Sequence, residues 1–591
     1  MTAVLESPRI ADGFVTPSVE RVCAESSTTL RRMTLFAVVP ILVLVALQLA
    51  TFQFSEPIFF GDENRHVMTS IFFRDLLADR PLTDLRGYAE NYYVQYPALG
   101  LLIWPPLFHA LTGGVMLVAG TSSMVATLMV GLSAVIACVY LFRLTARTHD
   151  EVTASMAVLL FGVCPLIFDF SRHVMLEMPT LMWGLIATFH FVRFLDETRR
   201  CDVYIAAVAS ACAALTRFDA VYLLPMFGIL LTARGQWRLL KRLDVWGAVA
   251  VALLLVLPYY GLVALEVGGL HVRQASESVV PREHGDQTLS GFLYYFYFVP
   301  KQVGWFVTVA ALIGLMRMCS TSARRRSWPY LAMLLATYVT FAPLAEVHFR
   351  HSIYWVPGIV VLAIEGLRKG VGSLFQVGVA PPINVLELSR RWSFGRPEKD
   401  SRPLTVALLL VIATGATTVA KERPTIRGYE EAAGYVLEHS TKSKFCLFDG
   451  WWDGNFTYHV RHLDPQRRLS VLRGDKLFYG FICVPETDYT EYAATEREML
   501  NVIDRQAPEF VVVEEPQIMT HIPAAERLRG LLREHPERFQ LEKTIPVRGD
   551  KLVPDFELRI YRNLLANSET TQSVEFEVLG LGKSVRGKEK P

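Results

Sequence analysis

The sequence predicts a polytopic α-helical membrane protein of about eleven spans carrying a small C-terminal α/β domain outside the membrane. Three observations predict it. Of the 591 residues, 52% are hydrophobic and only 20% charged, against roughly 45–50% and about 25% in soluble domains, and mean hydropathy is +0.29. The apolar residues gather into blocks, and about 20 of them in a helix cross some 30 Å of hydrocarbon. Lys and Arg concentrate in alternate linkers, the pattern that cytoplasmic loops show. The net charge of +2 selects no partner, and no nucleic-acid partner is expected.

In chain order, residues 1–33 read as a polar cytoplasmic tail. The block at 34–54 reads as a retained span, because a long polar segment precedes it and no small-x-small cleavage site follows. Further spans fall near 122–142, 152–169, 178–195, 203–216, 220–233, 245–264, 302–317, 329–344, 352–367 and 404–420. The linkers assigned to the cytoplasm hold Arg31-Arg32, Arg143 and Arg147, Arg199-Arg200, Arg234 to Arg242, Arg324 to Arg326, and Arg368 to Arg402. This puts the N-terminus inside a plasma (inner) membrane and everything after residue 420 on its periplasmic or extracellular side. Residues 203–233 are two short spans joined by an outer turn at 216–219, since a single span would invert every later loop. Residues 96–120 carry Pro97, Pro105, Pro106 and a Gly113-Gly114 break. They read as helical pieces at the outer interface, within one outer loop structure over 55–121.

The catalytic unit is therefore expected over 34–420 and the α/β domain over 421–563. In the latter, strand-like runs at 444–448, 510–514, 539–547 and 557–561 accompany a helical pattern at 495–505. Residues 564–591 read as a disordered tail. Cys446 and Cys483 are the only cysteines of the outer domain, either a disulfide or two buried thiols.

The ionisable residues of the outer loops fall on one face: Asp62, Glu63, Arg65 and His66; Asp169, Arg172, His173 and Glu177; Arg217 and Asp219; a group from His271 to Asp286, with Lys301; and Glu346, His348, Arg350 and His351. Adjacent carboxylates at Asp62-Glu63 suit general-base catalysis or a divalent cation, although a bare Asp-Glu pair is also an ordinary solvated loop. Glu63 and His348 are the candidates for metal contact. Arg217, alone in an apolar hairpin, needs either a carboxylate partner (Asp219 or Asp169) or an anionic ligand. Arg350 is the candidate for phosphate.

Gly61-Asp62-Glu63, Tyr96-Pro97 through Trp104-Pro105-Pro106-Leu107, Ser171-Arg172-His173 through Glu177-Met178-Pro179, Leu215-Thr216-Arg217 and the stretch from Arg350 to Pro357 stand in an order that resembles the GT-C superfamily, within it the protein O-mannosyltransferases and aminoarabinose (lipid A) transferases. The likeness covers residues 34–367. It implies transfer of a hexosyl or pentosyl group, with inversion, from a polyprenyl-phosphate donor to a hydroxyl of a lipid, glycan or protein. Asp62 falls on the family's catalytic carboxylate. The contacts to substrate are expected from Glu63, Arg65, Tyr96, Arg172, Glu177, Arg217, His348, Arg350 and Tyr354. Departures are Arg217 where relatives carry Lys, Glu177 in place of an aspartate, and an Arg-Tyr pair spread out as Arg350 and Tyr354; they bear on the donor sugar more than on the reaction class. The competing readings are a transporter or flippase for an anionic or lipid-linked solute, which calls for inverted repeats that the sequence lacks, and a non-catalytic subunit presenting the outer domain.

Overall fold

The computed structural model describes residues 36–51, 61–267, 289–317, 321–343, 348–374, 402–421, 425–481, 489–518, 522–549, 555–566, 575–578 and 583–586. The tail at 1–33, the group from His271 to Asp286, Glu346 and Cys483 lie outside these residues.

The N-terminal two-thirds is helical. It runs α1 (Phe36–Ala50), α2 (Gly61–Asp79), α3 (Leu85–Gln95), α4 (Leu107–Ala119), α5 (Ser123–Thr148), α6 (Glu151–Val163), α7 (Pro165–Phe170), α8 (Glu177–Glu197), α9 (Arg200–Ala214), α10 (Leu223–Arg234), α11 (Leu243–Val267), α12 (Leu289–Val303), α13 (Trp305–Arg317), α14 (Thr321–Phe341), α15 (Val356–Leu374) and α16 (Arg402–Val419). Short 3-10 turns cover Phe218–Tyr222 and Phe349–Trp355. Among the described residues, three helices are long and apolar enough to cross a membrane, at Ser123–Thr148, Glu177–Glu197 and Leu243–Glu266; a bent pair makes a fourth.

The difference from about eleven spans has local causes. The block at 152–169 breaks at Cys164, because Pro165 has no N–H to continue the helix and instead starts a new one. The blocks at 220–233 and 352–367 each open on a 3-10 turn. Residues 289–301, read as outer loop, are helical, and the chain turns by 120° at Gly304, where φ is +96 and a side chain would be strained. Residues 203–233 do form two helices rather than one, with Arg217 between them.

The C-terminal part builds a six-stranded sheet in the order β1-β7-β8-β6-β2-β3. Its elements are β1 (Ile426–Arg427), α17 (Tyr429–His439), β2 (Phe445–Asp449), α18 (Asp453–Leu463), β3 (Ser470–Arg473), α19 (Gly474–Leu477), β4 (Tyr479–Phe481), β5 (Tyr489–Glu491), α20 (Glu496–Gln506), β6 (Phe510–Glu515), α21 (Pro523–Glu534), β7 (Phe539–Gly549) and β8 (Phe556–Asn563). β2 pairs in parallel with β3 and β6, while β7 and β8 are antiparallel. Alternation assigns the faces. Leu447, Val511 and Val513 join Met499, Ile503 and Leu528 in one core. Phe448, Phe510 and Val512 join a second core that runs without interruption into Val67, Met68 and Tyr92 of the helical domain. A hairpin of β9 (Glu575–Val578) and β10 (Lys583–Arg586) occupies part of the expected disordered tail. The Glu-Phe-Glu-Val alternation and the two intervening glycines, Gly580 and Gly582, were its signal. Cys446 is a buried free thiol donating to the Ser470 carbonyl.

Candidate active site

α2 begins with Gly61-Asp62-Glu63, so its two carboxylates sit in the first turn, where the helix dipole favours negative charge. Their side chains diverge. Asp62 is 35% exposed and faces Arg350, whose Nη1 donates to its Oδ2 at 3.1 Å. Glu63 is fully buried and paired with His173 Nδ1. The far nitrogen of His173 reaches Asp169 Oδ1 at 3.1 Å. Glu63 faces inward, and a carboxylate–imidazole–carboxylate chain anchors α2 to the segment after α7. The sequence signal was the four-residue spacing of Asp169 and His173.

Arg350 lies in the 3-10 turn Phe349–Trp355, which His348 caps: its Nδ1 accepts from the Arg350 backbone N–H at 3.2 Å. The Arg350 Nε is 3.6 Å from Glu177 Oε1, at the start of α8. The same oxygen is 3.0 Å from Arg217 Nη1. Arg217 Nε donates to Asp219 Oδ2 at 2.6 Å, and the Tyr354 hydroxyl donates to that oxygen at 3.1 Å. Tyr354 is held by stacking on Tyr222, with centroids 4.5 Å apart. Asp62, Arg350, Glu177, Arg217, Asp219 and Tyr354 thus form one chain of alternating charge, drawn from four separate segments. Asp219 serves both Arg217 and Tyr354 as acceptor. Burial alone would raise its carboxyl, but Arg217 and His351 hold it below the usual carboxylate range.

Burial, then the Arg350 and Arg217 charges, pushes His348 down to about 4, and burial takes His351 to about 4 as well. His66 lies well below the ordinary value, through burial and then His109, Arg217 and Arg350. His109 Nδ1 donates to the Pro105 carbonyl at 3.2 Å, so its Nε2 accepts from His66 Nδ1 at 3.1 Å. Among the described residues, no three His, Cys, Asp or Glu side chains converge as a metal site. Glu63 pairs with His173, and His348 caps the turn of Arg350.

Three predicted contacts lie elsewhere. Tyr96 is fully buried against Tyr92, with Arg461 of the C-terminal domain 6.0 Å from its ring. Arg65 adjoins Asp453 and Asp475 of that domain, which feel its charge. Arg172 packs its guanidinium 4.0 Å from the Phe168 ring and lines an apolar cavity of about 200 Å³ with Leu44, Gln48, Leu128 and Phe161.

The fold is one that two solved structures share. ArnT from Cupriavidus metallidurans, solved bound to undecaprenyl phosphate, superposes with a TM-score of 0.59 at 13% identity over 90% of this chain and 99% of its own. Its apo structure superposes at 0.57 and 14% identity over the same shares. The family model for dolichyl-phosphate-mannose-protein mannosyltransferase matches residues 104–261, a segment that holds Arg172, Glu177 and Arg217 but begins after Asp62. No curated protein matches the sequence. The shared fold and the matched segment agree with the resemblance that the motif order carries.

Proposed function

We propose that this chain is an inverting, polyprenyl-phosphate-dependent glycosyltransferase working at the outer face of the plasma membrane, with its N-terminus cytoplasmic and its α/β domain outside. The observation that carries the proposal is the contact of Asp62 with Arg350 at 3.1 Å, both side chains partly open to solvent. A base for the acceptor and a cation for the leaving group stand side by side. Asp62 takes the proton of the acceptor hydroxyl. The hydroxyl oxygen attacks the anomeric carbon from the face opposite the leaving group. The bond between that carbon and the phosphate oxygen breaks, and the electron pair leaves on the phosphate. Polyprenyl phosphate is already a weak base, so it needs positive charge rather than a general acid. Arg350 is the more exposed of the two arginines and meets the phosphate directly. Arg217, 9% exposed and held by Glu177 and Asp219, supplies field from behind. Apolar helices along the chain suit a lipid-borne donor, and the undecaprenyl phosphate bound by ArnT supports that donor class.

Purified protein incubated with a panel of polyprenyl-phosphate hexoses and pentoses should release polyprenyl phosphate from at least one. Asp62→Asn should abolish that release by at least 100-fold with the fold intact. Full turnover in Asp62→Asn would remove Asp62 from its role. Consumption of no donor, with solute flux across liposomes, would establish the transporter reading instead.

A further inference from the structure

We propose that the C-terminal α/β domain is a positioning device for α2, and that Gly454 and Asn455 set the place of Asp62 through Asn64. The catalytic half of this inference rests on the function proposed above; the structural half does not.

Asn64 lies between Glu63 and Arg65 and is 1% exposed. Its Nδ2 donates to Asn455 Oδ1 at 2.6 Å, a buried bond between residues 391 apart in sequence. Gly454 presses on the same amide. A Cβ there would stand 2.2 Å from Asn64 Oδ1 and 2.4 Å from its Cγ. The amide cannot swing aside without leaving Asn455, so the position tolerates only glycine. Three turns further along α2, Asp75 accepts from Arg461 Nη2 at 2.6 Å and from the Tyr92 hydroxyl at 2.7 Å, with Arg461 and Asp75 both almost fully buried. The two ties are 11 residues apart, roughly 16 Å along the helix. Both come from one element, α18. Two fixed points on one rigid partner determine the rotation of α2 as well as its height. α18 is itself bolted to the sheet: Phe456 stacks on Phe448 at 4.8 Å, and Asp453 meets Arg473 at 2.5 Å. Arg473 in turn donates to the Pro97 carbonyl at 2.5 Å.

The opposite side of the first turn carries Asp62 on Arg350 and, buried, Glu63 on His173. These contacts allow little play, and a misplacement of about 1 Å costs on the order of 10²-fold in rate. A bulky side chain at Gly454 therefore acts at a distance. It pushes Asn64, turns the start of α2 and separates Asp62 from Arg350, while Arg217 and Glu177 stay where α8 and the turn after α9 put them.

The test uses the full chain. Gly454→Ala should lower kcat for polyprenyl phosphate release by roughly 100-fold, with a much smaller change in KM for the donor. Asn64→Ala removes the atoms that Gly454→Ala would strike, so the double variant should recover to the level of Asn64→Ala alone. Hydrogen exchange of a peptide covering 61–79 gives an activity-free reading. It should speed up at least tenfold in Gly454→Ala and return to the level of Asn64→Ala in the double variant, while peptides from β2 and β6 keep their protection. If Gly454→Ala fails to fold, Asn455→Ala, which loses the bond without a clash, should lower kcat and speed exchange of the 61–79 peptide by the same smaller amount as Asn64→Ala, and wild-type values in both single variants would overturn the proposal. Wild-type kcat and exchange in Gly454→Ala, or no recovery in the double variant, would overturn the proposal. A wild-type chain inert on every donor would sink the glycosyltransferase reading and leave exchange to decide the positioning.

Discussion

Glu177→Gln is the most revealing perturbation of the charge chain. Its carboxylate is fully buried, 3.0 Å from Arg217 and 3.6 Å from Arg350. In the resting site it holds the place of an anion between the two cations expected to receive the phosphate. Each arginine keeps a second carboxylate, Asp219 or Asp62, so neutralising Glu177 strands neither guanidinium. The gain for an incoming phosphate follows from Coulomb's law. A phosphate on the open side of Arg350 would lie about 6 Å from Glu177, and one unit of repulsion at that distance with an effective dielectric of about 20 is roughly 2.8 kcal/mol. Its removal should tighten donor and product by about 100-fold. The chemical step gains only the part of that relief that the charge developing on the leaving phosphate adds. The expected phenotype is a donor KM lowered by about two orders of magnitude, strong product inhibition by polyprenyl phosphate, and a reduced kcat limited by release. Initial rates over a donor titration, repeated with added polyprenyl phosphate, measure all three. A raised or unchanged KM in a folded Glu177→Gln protein would refute the placement of the phosphate beside Arg217 and Arg350.

Two further outcomes follow from the same geometry. Tyr354→Phe keeps the stack on Tyr222 but removes the donor to Asp219, and should cost about 1 kcal/mol of stability with a donor KM changed less than in Glu177→Gln; a thermal melt and a donor titration check it. Acid should loosen the site through His348 and His351. Both are depressed to about 4 in the folded chain, while the unfolded chain binds their protons near pH 6.5. Between those values the unfolded state holds more protons, so stability present above pH 6.5 should fall progressively toward pH 4. His348→Gln with His351→Gln should flatten that part of the pH-stability curve, and an unchanged slope would contradict the assignment.

Much of the architecture was legible because period and charge are local properties. The strands at 445–449 and 510–515 stand out as β-branched or aromatic runs, and α20 carries a Thr495–Glu498 capping box that announces its first turn. Arg217 was legible for a different reason. A lone guanidinium in an apolar hairpin requires counter-charge, and Asp219 with Glu177 supplies it. The short strands β1, β3, β4 and β5 were not legible, since two to four residues show no period. Nor was the hairpin after residue 574, whose charged flanks mask a short alternation.

The direction of each carboxylate in Asp62-Glu63 was also hidden, and here the physics is more instructive. Neighbouring residues on a helix point about 100° apart, so an acidic pair at a helix start cannot serve one site with both members. One carboxylate must turn toward whatever packs on the helix. In this chain that partner is His173, itself steadied by Asp169, which lets Glu63 be buried with a hydrogen-bonded counter-group rather than as a bare charge. The inward anchoring of Glu63 and the outward presentation of Asp62 are two consequences of one helical turn. Asn64, next along, then faces the C-terminal domain. Three consecutive residues thus tie α2 to three different bodies: Asp62 to the turn of Arg350, Glu63 to the segment after α7, and Asn64 to α18. A catalytic carboxylate on a loop would move with that loop. On this helix the position of Asp62 is over-determined by its neighbours, so a partly exposed carboxylate keeps a defined geometry.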